Sequence, residues 1–237
     1  MKTGFNKEKL LKRIYIVIPA YNEEKSIGNV IASLKKEGYK NIIVVNDGSK
    51  DKTSKIAKSK GVLVLDHIIN RGLGGALNTG ISAALKLGAE IIVTFDADGQ
   101  HDVSDIESVV KPIIDGKADF VIGSRFLRKQ KLNFHLMIRR FGIKILNLIT
   151  YALFNIHTTD SQSGLRALSR KAASKIRITA NRMEVSSEFF REIKKNKLRL
   201  KEVPIKTIYT NYSIRKGQST LNGFRIIMRL ILRNMFQ

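Results

Sequence analysis

The sequence predicts an α/β fold built on a mostly parallel central sheet with helices on both faces. Three observations predict it. Strand-like and helix-like segments alternate through the first 125 residues, the loops between them are short, and four of the five strand candidates are near-continuous apolar runs. Apolar runs without polar alternation mark strands covered on both faces, and regular strand–helix alternation marks parallel pairing.

IYIVIP (14–19) reads as the first strand. EKSIGNVIASLKKEG follows, with Ile27, Val30, Ile31 and Leu34 at helical spacing. NIIVVN (41–46) is the second strand, DKTSKIAKSKG a short polar helix and VLVLD (62–66) the third strand. GGALNTGISAALKLG reads as a helix rich in small residues, EIIVTF (90–95) as a strand, VSDIESVVKPIIDG as a helix and DFVIGS (119–124) as a strand. Residues 132–156 carry long apolar stretches, with Arg140, Lys144, Asn147, Tyr151 and Asn155 along one helical face. Their longest uncharged run, between Lys144 and His157, is 12 residues. A bilayer crossing needs roughly 20. Residues 197–210 look extended, with Pro204 favouring an edge or a break. At the end, Phe224, Ile227, Met228, Ile231 and Met235 form an apolar stripe, and Arg225, Arg229 and Arg233 a basic one. No repeat or low-complexity linker divides the chain, so one catalytic-size domain is expected over 1–218, followed by a basic amphipathic helix over 219–237.

The 237 residues contain no cysteine, which excludes disulfides, thiolate metal sites and thiol nucleophiles. The N-terminus lacks the apolar core of a secretory signal, so a cytoplasmic protein is expected. Lys and Arg number 43 against 20 Asp and Glu, a formal charge of +23. Such a field attracts polyanions: nucleic acid, an anionic membrane face or phosphorylated substrates. No basic-aromatic motif, helix-turn-helix or zinc pattern supports nucleic acid. A nucleotidyltransferase would need a Gly- and Lys/Arg-rich loop after the first strand, where this chain has PAYNEE.

In parallel α/β sheets ligands sit beyond the carboxyl ends of the strands. Those ends read PAYNEE (19–24), NDGSKD (46–51), DHIINRG (66–72), DADGQHD (96–102) and GSRF (123–126). Asp96 and Asp98 repel each other unless a cation or donors neutralise them. With Gln100 they form an all-oxygen set suited to Mg²⁺ or Mn²⁺; the plain alternative is an acidic loop capping the next helix. Asp47 is placed either to meet a ribose or base, or to make an ordinary turn. Residues 70–76, NRGLGGA, open a helix, so their N–H groups and Arg71 could approach a phosphate.

VIPAYNEE, NDGSKD, NRGLGGA, FDADGQH and GSRF, in that order, resemble the family 2 glycosyltransferases of the GT-A fold. DSQSGLRALS (160–169) is similar to a segment of the polyprenyl-phosphate sugar transferases, the dolichol-phosphate mannose synthases and dolichyl-phosphate β-glucosyltransferases. The resemblance runs over roughly residues 13–220. It implies an inverting transfer of a hexose from GDP-mannose or UDP-glucose to a polyprenyl or dolichyl phosphate. It further implies that Pro19, Ala20, Tyr21, Glu23, Asp47, Arg71, Asp96, Ala97 and Asp98 bind the nucleotide sugar, and that Asp96, Asp98 and Gln100 hold the metal and diphosphate. Arg125, Arg139 or Arg140, Arg215 and Lys216 would surround the phosphates. Asp98, Asp160 and Arg125 are the implied catalytic set, with Asp160 orienting the acceptor or an arginine such as Arg166; the alternative is a loop cap. Glu184 and Glu188, four apart, would orient the donor sugar or be surface acids. Two positions depart from the pattern: Asn46 stands where the family has Asp, and Thr220 where it has a basic residue.

A phosphate acceptor is already anionic and needs cationic positioning rather than a general base. The many arginines, and the absence of Q-x-x-R-W, favour it over a glycan hydroxyl, which stays as the nearest alternative. A lipid acceptor implies peripheral attachment to the cytoplasmic membrane face. Segments 132–156 and 219–237 are the candidates for docking on anionic lipid; the alternative is that their apolar stripes are buried in the core or in an oligomer contact.

Overall fold

The computed structural model describes residues 10–128, 134–182, 184–206 and 208, with backbone alone over 134–139. The strands are β1 (Ile14–Ala20), β2 (Ile42–Asn46), β3 (Leu63–Asp66), β4 (Ile91–Thr94), β5 (Phe120–Ser124), β6 (Arg166–Ser169) and β7 (Leu200–Pro204). The helices are α1 (Ile27–Lys36), α2 (Thr53–Ser59), α3 (Gly72–Lys86), α4 (Asp105–Ile114), α5 (Phe134–Phe154), α6 (Arg170–Lys175) and α7 (Val185–Lys195). The strands form one sheet in the order β3-β2-β1-β4-β6-β5-β7. All pairs are parallel except those of β6, which runs antiparallel between β4 and β5.

Period-two alternation explains the unbroken apolar runs. Ile16, Ile18, Val44, Val93 and Val121 enter the core beneath α1 and α4. Their neighbours Val17, Ile43, Val45, Ile92, Phe120 and Ile122 enter the opposite core with Leu77 and Ile81 of α3 and Phe189 and Ile193 of α7. Every residue of these strands therefore meets protein. Pro19 is tolerated in the central β1 because pairing with β4 ends at Val17↔Thr94, two residues earlier. Pro204 closes β7, the edge strand, where the sequence places an edge or a break.

β5 and β7 are stitched at their starts by one acid. The buried Asp119 carboxylate accepts Arg199 N–H and Nε–H at 3.0 Å each and Nη2–H at 3.1 Å. The hydrogen bonds from Arg199 hold its carboxyl far below the usual carboxylate range, despite the opposing effect of burial. A depressed folded-state pKa stabilises the fold above the unfolded value and is lost as pH falls through the folded one. Asp119→Asn is therefore expected to lower the melting temperature at pH 7, and the gap to wild type should narrow progressively as pH falls below the ordinary carboxylate range. Melting curves from pH 7 down to pH 2 check this; a gap independent of pH would contradict it.

Candidate active site

The carboxyl ends of β1, β2, β4 and β5 bring Tyr21, Asp47, Asp96, Asp98 and Arg125 to one rim of the sheet, as the strand-end reading requires. β6 brings the 160–164 loop to the same rim from the other direction.

The first two loops lock together. Asn22 N–H donates to Ser49 Oγ (3.0 Å), Lys50 N–H to Asn22 Oδ1 (2.9 Å) and Glu24 N–H to Asp51 Oδ2 (3.1 Å). Tyr21 stays exposed at the rim, while Ala20 and Glu23 are buried and Glu23 Oε2 accepts from Ser26 Oγ at 2.8 Å. Asn46 has a structural reason to differ from the family's acid. It lies directly opposite Asp66 on β3 and donates Nδ2–H to Asp66 Oδ1 at 2.8 Å. A carboxylate there would face a second carboxylate in register.

Asp47 is almost wholly engaged by protein. Its Oδ1 accepts Arg71 N–H (2.9 Å) and His67 Nδ1–H (2.7 Å), and its Oδ2 accepts Gly72 N–H (2.7 Å). His67 Nε2 lies 2.9 Å from Thr79 Oγ1 on α3. The next donors of the Gly-rich turn, Gly74 N–H and Gly75 N–H, go to the Asn181 carbonyl at 2.9 and 3.2 Å. That loop does not offer these N–H groups to a phosphate, which corrects the cradle expected from NRGLGGA. Its glycines serve close packing instead: a Cβ on Gly74 would overlap the Ala180 carbonyl oxygen. The Arg71 side chain is exposed.

The acidic centre forms where β4 ends. Asp98 Oδ1 accepts Gln100 N–H at 3.0 Å and Oδ2 accepts Gln100 Nε2–H at 2.8 Å. Burial, then the charge on Asp96, push the Asp98 carboxyl above its ordinary value. Burial pushes Asp96 up as well, but the His101 hydrogen bond and the charges of Arg166 and Arg125 outweigh it and leave Asp96 lowered. His101 Nε2 lies 2.9 Å from Asp96 Oδ2, and its ring meets Phe95 edge-on at 5.5 Å. Its Nδ1 is buried without a partner. Ala97, between the two acids, is buried. Gly164 packs directly over Asp96, where any Cβ would overlap the carboxylate, and its carbonyl accepts Thr94 Oγ1–H at 2.7 Å.

Asp160 is fully buried and pairs with Arg125, not Arg166. Arg125 Nε–H and Nη2–H reach its two oxygens at 2.7 Å each, and Arg125 N–H adds a third bond at 3.1 Å. Arg125 and Arg140 both lie over the Phe126 ring, at 5.7 and 5.6 Å. Glu188 is committed to the chain before α7, accepting Thr179 N–H (3.0 Å), Ala180 N–H (2.8 Å) and Arg191 Nη2–H (2.7 Å). Glu184 is buried at the start of α7. The Arg139 side chain, Arg215, Lys216, Thr220 and the whole of 219–237 lie outside the described residues.

Sequence reasoning missed His67, His101 and the field of Arg166. The histidines carried a signal, since each stands in a loop at a strand end. Arg166 stands in the sequence only as a partner for Asp160; its place in the sheet under Asp96 is hidden, because β6 does not read as a strand.

The glycosyl transferase family 2 model matches residues 15–177. The chain belongs to this family. A UDP-N-acetylglucosamine–dolichyl-phosphate N-acetylglucosaminyltransferase of Methanococcus voltae is 44% identical to this glycosyltransferase over 94% of the chain and 97% of that protein. The dolichyl-phosphate beta-glucosyltransferase of Homo sapiens is 30% identical over 69% of the chain and 57% of that protein. Among solved structures, glucosyl-3-phosphoglycerate synthase from Mycobacterium tuberculosis, in complex with Mn²⁺, uridine-diphosphate and phosphoglyceric acid, superposes with a TM-score of 0.72. It is 19% identical, and the match covers 96% of this chain and 81% of that one. The family 2 glycosyltransferase thus has the GT-A arrangement that its sequence predicts.

Proposed function

We propose that this family 2 glycosyltransferase moves a hexose, with inversion, from a nucleotide sugar to a polyprenyl phosphate at a membrane surface. One observation carries the choice of acceptor. Among the described residues, four groups that could deprotonate a sugar hydroxyl are held by protein: Asp160 by Arg125, Asp47 and His67 by each other, Glu188 by the 179–180 backbone. A phosphate acceptor needs no base, only cations to hold it. The named activity of the 44%-identical relative supports the same acceptor class.

The acidic centre fits a hard divalent ion. Two carboxylates crowd one volume, and the Asp98 carboxyl is pushed up by burial and then by its neighbour's charge, so a cation there relieves repulsion. Among the described residues no three acidic or histidine groups converge as a complete cage. Mg²⁺ or Mn²⁺ needs no such cage: it binds through one or two carboxylates and completes its shell with substrate phosphates. Asp98, Asp96 and the Gln100 amide would hold it. When bound, such an ion neutralises charge on the departing nucleoside diphosphate. Arg125, fixed by Asp160, and Arg140, sharing the Phe126 ring, place positive charge beside the acceptor.

α5 would set that mouth against the bilayer. Phe141 and Leu148 are 66% and 67% exposed, with Ile145 and Tyr151 also at the surface of the same helix. Between Asp119 and Asp160 the sequence has no acidic residue and seven Lys or Arg. An apolar face on a stretch of chain whose only charges are basic is complementary to an anionic leaflet, where each basic residue contributes about 1 kcal/mol. Among the described residues no helix is long and apolar enough to cross a membrane.

The test is an assay with Mg²⁺ or Mn²⁺ and labelled GDP-mannose, UDP-glucose and UDP-N-acetylglucosamine. Polyprenyl phosphate is presented either in anionic vesicles or as a water-soluble short chain. Sugar-polyprenyl-phosphate and nucleoside diphosphate are the expected products; labelled glycan, or release of pyrophosphate, would overturn the reading. Phe141→Ser with Leu148→Ser should cut transfer on vesicles severalfold and leave the soluble acceptor untouched. If that variant instead dissociates a dimer and transfers normally on vesicles, the face belongs to a second copy of the chain.

A further inference from the structure

Arg166 sits inside the sheet, opposite Thr94 of β4 on one side and Ile122 of β5 on the other. Those two strands lead into Asp96 and Arg125, so Arg166 lies beneath the acidic centre. Its side chain is buried, and burial draws the guanidinium down to about 10, which leaves it charged at neutral pH. A buried cation is costly unless close partners compensate it. Yet its hydrogen bond goes to a neutral hydroxyl, Nη2–H to Ser186 Oγ at 3.0 Å, and its guanidinium carbon lies 5.0 Å from the Phe189 ring centroid. No ion pair closes on it among the described residues; Asp160 pairs with Arg125, and one Asp96 oxygen with His101. What Arg166 meets from Asp96 and Asp160 is their field. Packing alone would be better met by an apolar side chain.

Charge counting shows what this position does. Asp96, Asp98, Asp160 and Glu23 face Arg125 and Arg166 there, so the empty cleft is negative, and loss of Arg166 makes it more negative by one charge. With a divalent ion bound, Arg166 again leaves the cleft one charge more positive than it would be without it. We propose that Arg166 is a positioning residue that sets the charge of the cleft: a buried cation that weakens the hold of the empty site on a divalent ion and strengthens the hold of the ion-loaded site on a nucleoside diphosphate. Cation and donor are thereby favoured together rather than the cation alone. This rests on the metal-dependent donor site proposed above.

Arg166→Gln keeps a donor for Ser186 and removes the charge; Arg166→Met removes both, and Arg166→Lys restores the charge. Mn²⁺ binding without nucleotide is read by electron paramagnetic resonance, and UDP and GDP binding at saturating Mn²⁺ by calorimetry. Removing one charge at this range should make Gln and Met bind Mn²⁺ alone about tenfold more tightly, and the nucleotide about tenfold more weakly. Lys should return both towards wild type. Opposite signs are the signature, because a merely loosened site would lose both affinities. In variants with wild-type circular dichroism, unchanged affinities or a parallel loss of both overturns the inference. Should Met fail to fold, Gln decides. A wild-type protein that binds neither Mn²⁺ nor nucleotide would remove the site reading itself, a failure distinct from two affinities that stay put.

Discussion

Asp98→Asn is expected to reduce sugar transfer on the order of 10³-fold while leaving the ligand-free protein at least as stable as wild type. The two effects have one cause. Asp98 is half-buried beside Asp96, and burial and that like charge both favour its protonated form. A carboxyl raised in the folded state supports the fold in acid, and that support is lost as pH rises through its folded-state pKa. At neutral pH the ionised group is a strain on the protein without ligand, and the amide removes the strain. Its oxygen can still accept Gln100 N–H, so the turn survives. The lost charge is the one that would hold the cation on the diphosphate. Initial rates with Mn²⁺, and melting temperatures at pH 7 and pH 4, check both halves. Transfer within tenfold of wild type would remove the metal role, and a large fall in melting temperature would show that Asp98 is structural. Stabilisation by Asn should shrink at pH 4, where the wild-type carboxyl is itself more protonated.

The residues show why some of this was legible beforehand. Strands buried on both faces must be apolar throughout, so β1, β2, β4 and β5 announce themselves, and the polar residues that follow each can only stand at the rim. β6 is hidden because it has four residues, opens on a charged one and runs antiparallel. The Gly-rich turn misled because hydrogen-bond partners distant in sequence, Asp47 and Asn181, decide where its donors go. Asn46 became intelligible only through its register with Asp66, and Asp160 only through its distance to Arg125. Pairings across the fold are set by topology, and local pattern does not encode them.

Asp160→Ala should destabilise the protein by about 3–5 kcal/mol, the usual cost of removing one partner from a buried ion pair. Three donors of Arg125 lose their acceptor, and water cannot replace it at a position with no solvent exposure. Arg166 loses one of the two carboxylates whose field offsets its charge. The damage also reaches α5, because Asn147 holds the same loop from both sides, donating to the Thr159 carbonyl at 2.8 Å and accepting Ser161 N–H at 3.0 Å. Transfer should fall on the order of 10²-fold or more, since Arg125 then has no fixed direction in which to hold an acceptor. Urea unfolding and steady-state rates measure the two losses. The double variant Asp160→Asn with Arg125→Met separates them: with both charges gone it should recover much of the stability and none of the transfer. If the single Ala variant unfolds within about 1 kcal/mol of wild type, the pair is screened by water and contributes little, as surface pairs do. If the double variant regains transfer along with stability, Arg125 is part of the framework, and the acceptor phosphate is held by Arg140 across the Phe126 ring.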